Sequence, residues 1–229
     1  MCSYSIIITS SHILSHPKIT LIKETLDSLS KINMAKDTKI ILAHDFSDDI
    51  NYIEYLQNLK DYIADKANIQ IVVRDTHGHL TGNVRNAFNF IDTEYVLIIQ
   101  HDFPFLGNFD LEKVIEDMKN NSELKHIRFN KRKTIKTGSD ALNDLFGKQI
   151  ESQNYTYTRT PSWSDNNHLC SSDYYRDIVL KECKNGKPME SYLLKKSTTE
   201  ERHDKYGTYI FGPLDHPPMI KHTNGRASR

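Results

Sequence analysis

The apolar run Glu94-Tyr95-Val96-Leu97-Ile98-Ile99 stops abruptly at Gln100-His101-Asp102, just before Pro104. A carboxylate at the mouth of a buried strand can hold a divalent cation through oxygen, and that cation can bridge a diphosphate. The same position also suits a solvated turn aspartate. His101 is next to it and points to the opposite face of the strand, either as a second ligand or as a packed ring. Gly82-Asn83-Val84-Arg85-Asn86 reads as the opening of a helix, where amide and guanidinium groups can meet phosphate or simply form an exposed face. Asp45 closes another apolar run and suits either ribose or base contacts or an Asx turn. Asp165 lies in Trp163-Ser164-Asp165-Asn166-Asn167-His168, an aromatic platform mixed with polar groups that suits a sugar. Glu190 stands at a helix start, where the dipole favours an anion and where a general base for a hydroxyl is also at home. His216 and His222 flank an apolar segment, and either can close a metal site or be an ordinary polar residue.

These residues need a scaffold. Strand-like runs at 4–9, 39–43, 69–73 and 94–99 alternate with helical spacing from His16-Pro17 to Ile32, from Ile50 to Ile63 (Ile50, Ile53, Leu56, Leu59) and from 82 to 91 (Val84, Ala87, Phe88, Ile91). The alternation predicts an α/β fold with a mostly parallel sheet flanked by helices. The polar strand ends, Thr9-Ser10-Ser11, Asp45, Arg74-Asp75 and His101-Asp102, then share one edge, where open α/β sheets bind ligands. Beyond Pro104 the pattern loosens. It predicts a helix at 111–118, a strand at 125–130, a basic loop at 131–139 and a strand at 155–160. A polar loop at 163–169, helices at 173–183 and 189–196, short strands at 206–211 and 219–223, and a polar tail at 224–229 follow. The expected organisation is a nucleotide-binding half, 1–105, and an α+β half, 106–229, in one continuous core.

Composition narrows the function. The 229 residues carry 30 Lys+Arg against 30 Asp+Glu, so no net charge draws the chain to nucleic acid. Cys2, Cys170 and Cys183 have no metal-ligand spacing, which fits a reducing compartment. The N-terminus has no basic n-region, and no run of about 18 apolar residues occurs, so a soluble, cytoplasmic protein is expected. No Gly-Lys-Ser/Thr follows the Gly82 stretch and no Gly-x-Gly-x-x-Gly follows the first strand, against a P-loop or a dinucleotide cofactor.

In order and spacing, Thr9-Ser10-Ser11, Asp45-Phe46-Ser47-Asp48-Asp49, Gly82-Asn83-Val84-Arg85-Asn86 and the strand ending in Asp102 resemble the nucleotide-sugar half of GT-A glycosyltransferases of the family-two type. The resemblance covers about the first 105 residues. It implies that a nucleoside-diphosphate sugar lies across Thr9, Ser10, Ser11, Asp45, Arg74, Asn83, Arg85 and His101. It also implies Mn²⁺ or Mg²⁺ on Asp102, with His222 completing the shell in preference to His216. Trp163–His168 and Met189-Glu190 look like the acceptor loop and the catalytic acidic position of small viral and bacterial members. Glu190, or failing it Asp165, is then the base for a glycan hydroxyl, with inversion. Two departures stand out: the family's Asp-x-Asp reads Gln100-His101-Asp102, and the Asp45 motif lacks its glycine. The alternatives are a non-catalytic nucleotide-sugar or glycan-binding module and, ranked lower, a sugar nucleotidyltransferase, which would need a basic Gly-rich loop where Ser10–His16 stands.

Overall fold

The computed structural model describes residues 3–141 and 143–223; Cys2 and the polar tail 224–229 lie outside them. The first half runs β1 (Tyr4–Ser10), α1 (Thr20–Ser28), β2 (Ile32–Asn33), β3 (Lys39–His44), α2 (Ile50–Tyr62), β4 (Ile69–Val73), α3 (His79–Ala87) and β5 (Tyr95–Gln100). β1 pairs in parallel with both β3 and β5, and β3 pairs in parallel with β4. The polar ends of these strands therefore share one edge of the sheet.

The second half runs β6 (Phe109–Asp110), α4 (Leu111–Asn120), β7 (His126–Arg128), β8 (Gln149–Glu151), β9 (Thr156–Arg159) and β10 (His168–Ser171). The helical stretch that follows is α5 (Ser172–Tyr174), a π-helical turn (Tyr175–Val179) and α6 (Leu180–Glu182). Then come α7 (Glu190–Leu193), α8 (Glu200–Tyr206) and β11 (Thr208–Phe211). Among the described residues one nine-stranded sheet forms, in the order β4-β3-β1-β5-β10-β7-β11-β9-β8. β10 lies antiparallel to both β5 and β7, so the sheet changes direction beside the central strand.

The strand sequences explain the layering. Side chains alternate between faces, and both faces of β1 and β5 are covered, so their central residues, Ile6–Ile8 and Val96–Ile99, are apolar without a break. Ile6, Ile8, Leu97 and Ile99 join the core under α1, α2 and α4. Ile7, Val96 and Ile98 join the core under α3 and the 172–193 helices. Each such side chain contributes about 1.5–3 kcal/mol by burial.

Several elements differ from the sequence expectation. His16-Pro17 forms a cis turn, and α1 begins at Thr20. Its last predicted residue, Ile32, lies in β2. The buried face of α2 is Tyr52, Tyr55 and Leu59, whereas Ile50 and Ile53 are 70% and 53% exposed. Both sets have helical spacing, but the tyrosine hydroxyls find partners inside: Tyr52 donates to the Asp45 carbonyl (2.7 Å), and Tyr55 meets Ser10 Oγ (3.4 Å). α3 begins at His79 rather than Gly82, and Asn83 is buried instead of lying on an outer face. The end of the expected 163–169 loop is the strand β10, and Trp163 is fully buried, so it offers no platform to a sugar. Tyr206 ends α8, and 219–223 contributes only the single bridge Ile220–Phe105. β8 and α8 have no counterpart in the sequence reading.

Candidate active site

A cleft of about 920 Å³ opens at the carboxyl ends of β1, β3 and β5. Its walls include Thr9, Ser10, Ser11, Asp45, Asn83, His101, Asp102, Asp165, Glu190 and His222. Arg74 and Arg85 are not among its lining residues.

Buried amides fix the strand ends. Asn83 Nδ2 donates to the carbonyls of Ser10 (3.0 Å) and Ala43 (2.7 Å), tying β1 to β3. Asn167 Oδ1 accepts the Gln100 N–H (3.1 Å), and its Nδ2 donates to the Phe103 carbonyl (2.8 Å). The turn that carries His101 and Asp102 is thus held on both sides. Thr9 Oγ1 donates to the Ile99 carbonyl (3.3 Å), and His101 Nδ1 lies 3.3 Å from the Thr9 carbonyl.

Asp45 works inside the protein. It is 1% exposed and accepts the N–H groups of Gly78 (2.8 Å) and His79 (2.7 Å) at the start of α3. His77 Nδ1 is 2.9 Å from it and Arg74 Nε 3.6 Å. The anion at this helix N-terminus is therefore a side chain of the chain itself. His79 takes this place with φ +55°, an uncommon conformation for a residue with a Cβ. A Cβ on Gly78 would come within 2.6 Å of Arg74 Nε, so only glycine lets that guanidinium pack here. Arg74 also donates to the carbonyls of Thr76 and Gly82. Arg85 donates to the carbonyls of Leu180 (2.7 Å) and Cys183 (2.8 Å), closing the end of the 172–182 helical stretch. Arg74 and Arg85, both expected at the donor, donate to backbone carbonyls.

Asp102 and His222 meet from far apart in sequence: Nε2 and Oδ2 are 3.2 Å apart. The His222 ring stacks on Phe103 with centroids 4.5 Å apart. Thr223 N–H and Oγ1–H both donate to the Asp102 carbonyl (2.9 and 3.0 Å), which pins the terminal segment against the turn. His216, the other late histidine, does not line the cleft.

Across the cleft, Asp165 and Glu190 form a reciprocal pair. Glu190 N–H donates to Asp165 Oδ2 (3.0 Å), and Asp165 N–H donates to Glu190 Oε2 (3.1 Å). Ser164 Oγ–H donates to the same Glu190 oxygen (3.1 Å). Asp165 Oδ1 is buried without a hydrogen-bond partner among the described residues. Burial pushes the Asp165 carboxyl up to about 7; the Glu190 backbone N–H opposes that shift and the Glu190 charge adds to it.

The family model for glycosyl transferase family 2 matches residues 11–182. The chain belongs to glycosyl transferase family 2. Its fold is the GT-A glycosyltransferase fold, and solved structures share it. TarS 1–349 of S. aureus in complex with UDP is 16% identical, with a TM-score of 0.55 over 96% of this chain and 60% of that one. The same protein in complex with UDP-GlcNAc is 15% identical, with a TM-score of 0.53 over 99% and 62%. Mannosyltransferase PcManGT from Pyrobaculum calidifontis, in complex with GDP-Man and Mn²⁺, is 13% identical, with a TM-score of 0.58 over 93% and 55%. This family 2 chain thus spans about 60% of the TarS 1–349 structure. No curated protein sequence matches it. No helix among the described residues is long and apolar enough to cross a membrane.

Around the family 2 cleft, some residues have roles that their neighbours in sequence do not signal. Asn167 and Ser164 stand beside it, holding the end of β5 and Glu190. Phe46, 39% exposed, and Lys131 line the cleft. Lys131 stands in the basic run after β7, which gave a signal of charge but none of position.

Proposed function

We propose that this chain transfers a sugar from a nucleoside-diphosphate sugar to an acceptor hydroxyl of a glycan, with inversion at the anomeric carbon. The observation that carries this reading is one cleft bearing the Asp102–His222 pair and, as a separate group, the Asp165–Glu190 pair. In this reading residues 1–105 bind the donor and residues 106–229 build the acceptor side. The relatives' ligands make uridine and guanosine diphosphate sugars the donors to test first.

Asp102 and His222 fit a divalent cation of the Mn²⁺ or Mg²⁺ kind. They offer one oxygen and one nitrogen donor already in contact. Among the described residues no group of three His, Cys, Asp or Glu side chains could hold a metal, so a cation on this pair would also need ligands from the donor or water. Such a cation, when bound, offsets negative charge on the diphosphate.

Glu190 acts as the base. It is half-buried, lines the cleft, and commits only Oε2 to described partners, leaving Oε1 to accept the acceptor proton. Asp165 is the second candidate, because burial keeps its proton on to about pH 7 and leaves little of it ionised to accept another below that pH. Its Oδ2 orients Glu190 through the backbone. One base and no second protein nucleophile suit a single displacement, hence inversion.

The test is a thermal-shift screen of UDP, GDP and their sugars with and without Mn²⁺, followed by NMR of the anomeric product. A ligand at a hundredfold excess over its dissociation constant stabilises the fold by about 2.7 kcal/mol. A shift with one nucleotide family and an inverted product would support the reading. Binding without hydrolysis or transfer would assign a binding module instead, and no shift at all would remove the donor site.

A further inference from the structure

The basic run Lys131-Arg132-Lys133 has no part in the reading above. Lys133 and Lys136 face Asp215 (2.9 Å) and Asp144 (3.7 Å). Lys131 differs. Among the described residues it is the one Lys or Arg that lines the cleft. Its ammonium lies 5.6 Å from the centroid of Phe103, the ring that stacks on His222. His222 in turn touches Asp102. Lys131 therefore borders the Asp102–His222 pair through a shared aromatic ring.

A diphosphate in this cleft needs a cation. It carries negative charge throughout and gains more when its bond to the sugar breaks. Arg74 and Arg85, expected at the donor, donate to backbone carbonyls, and the buried Arg128 bonds Ser162 O (3.1 Å) and Asp140 (3.3 Å). The strand end also has one carboxylate where the family's Asp-x-Asp has two, and fewer anionic ligands hold a divalent cation less tightly.

We propose that Lys131 is the residue that engages the donor diphosphate and offsets the charge left on it as the sugar departs. This inference rests on the glycosyl-transfer reading and deepens it. The acceptor oxygen bonds to the anomeric carbon while the bond from that carbon to the diphosphate oxygen breaks. The bonding pair stays on the diphosphate, and the acceptor proton passes to Glu190. Lys131 acts by charge and hydrogen bonding on the departing oxygens. Because it is part of the chain, this cation is present at any metal concentration.

The experiment is calorimetric titration of UDP and GDP into the wild-type protein, Lys131→Met and Lys131→Arg, with and without Mn²⁺. Lys131 is exposed, so the variants should melt with the wild type. Lys131→Met should weaken binding of the preferred diphosphate about ten- to hundredfold, the worth of one charged hydrogen bond. The loss should be larger without Mn²⁺, and Lys131→Arg should recover most of it. Wild-type affinity in the Met variant, or an Arg variant no better than Met, overturns the inference. A wild-type protein that binds neither diphosphate overturns the donor reading itself, a failure visible before any variant is made.

Discussion

Asp165 and Glu190 each donate a backbone N–H to the other's carboxylate, at 3.1 and 3.0 Å, although 25 residues separate them. The arrangement fixes both carboxyl groups through main chain, so neither can turn without loosening the other. It also joins the loop before β10 to the start of α7, two segments with no sheet pairing between them.

Glu190→Gln should reduce glycosyl transfer about 10²–10⁴-fold, the usual contribution of a general base. The amide keeps an oxygen for the Asp165 and Ser164 donors, so the melting temperature should stay close to wild type. A variant with near-normal turnover would move the base to Asp165.

Asp102→Ala and His222→Ala should each abolish the Mn²⁺-dependent part of nucleotide binding. The fold should survive, because Thr223 is held by the Asp102 carbonyl, not its side chain. Thermal-shift titration with Mn²⁺ checks both. Undiminished metal dependence in the two variants would exclude this pair as the cation site.

Asp45→Ala should cost stability more than chemistry. The substitution strands the N–H groups of Gly78 and His79 and leaves Arg74 and His77 without their carboxylate, a loss of about 3 kcal/mol. Urea unfolding measures it. An unchanged midpoint with lost nucleotide binding would return Asp45 to the donor-contact role.

Asp165 gives one pH signature. In the fold it keeps its proton to about pH 7, whereas the unfolded chain releases it near 3.8. The unfolded state binds fewer protons in that window, so this contribution to stability is complete below it and is lost as pH rises through 7, by about 1.4 kcal/mol per pH unit. Asp165→Asn should therefore gain on the wild type from pH 3.8 up to about 7 in denaturant titrations and hold that lead above it. A constant difference would mean that Asp165 is ionised in the fold.

His44 gives the opposite signature. It is fully buried, and desolvation, with His101 and His16 nearby, lowers it from 6.5 to about 3. The unfolded chain takes up a proton that the folded one refuses, so stability is complete above 6.5 and falls with acid toward 3. His168, lowered to about 4 by burial, adds to the same slope. His44→Phe should flatten the acid limb of a melting-temperature profile; an unchanged limb would show that other groups set it.

The parallel half of the sheet was legible residue by residue along the chain. The runs at 39–43, 69–73 and 94–99 lie within one residue of β3, β4 and β5, because covered strands need a nearly continuous apolar run; the edge strand β4 keeps the pattern although Gln70 and Val73 are exposed. The sequence also brought forward Asp102, as a polar group at the end of an apolar run, and His222, Asp165 and Glu190, by residue type and by the resemblance in order and spacing. Which groups meet depended on how distant parts of the chain pack together. That packing turned Tyr52 and Tyr55 inward over Ile50 and Ile53, because the hydroxyls had partners at the ends of β1 and β3. It sent Arg85 to helix carbonyls and closed Asp45 on α3, because carbonyls and N–H groups at helix ends compete with any ligand for the same charges. It buried Trp163 and brought Lys131 to the cleft, since a loop residue's position depends on the distant chain packed around it and not on its neighbours in sequence.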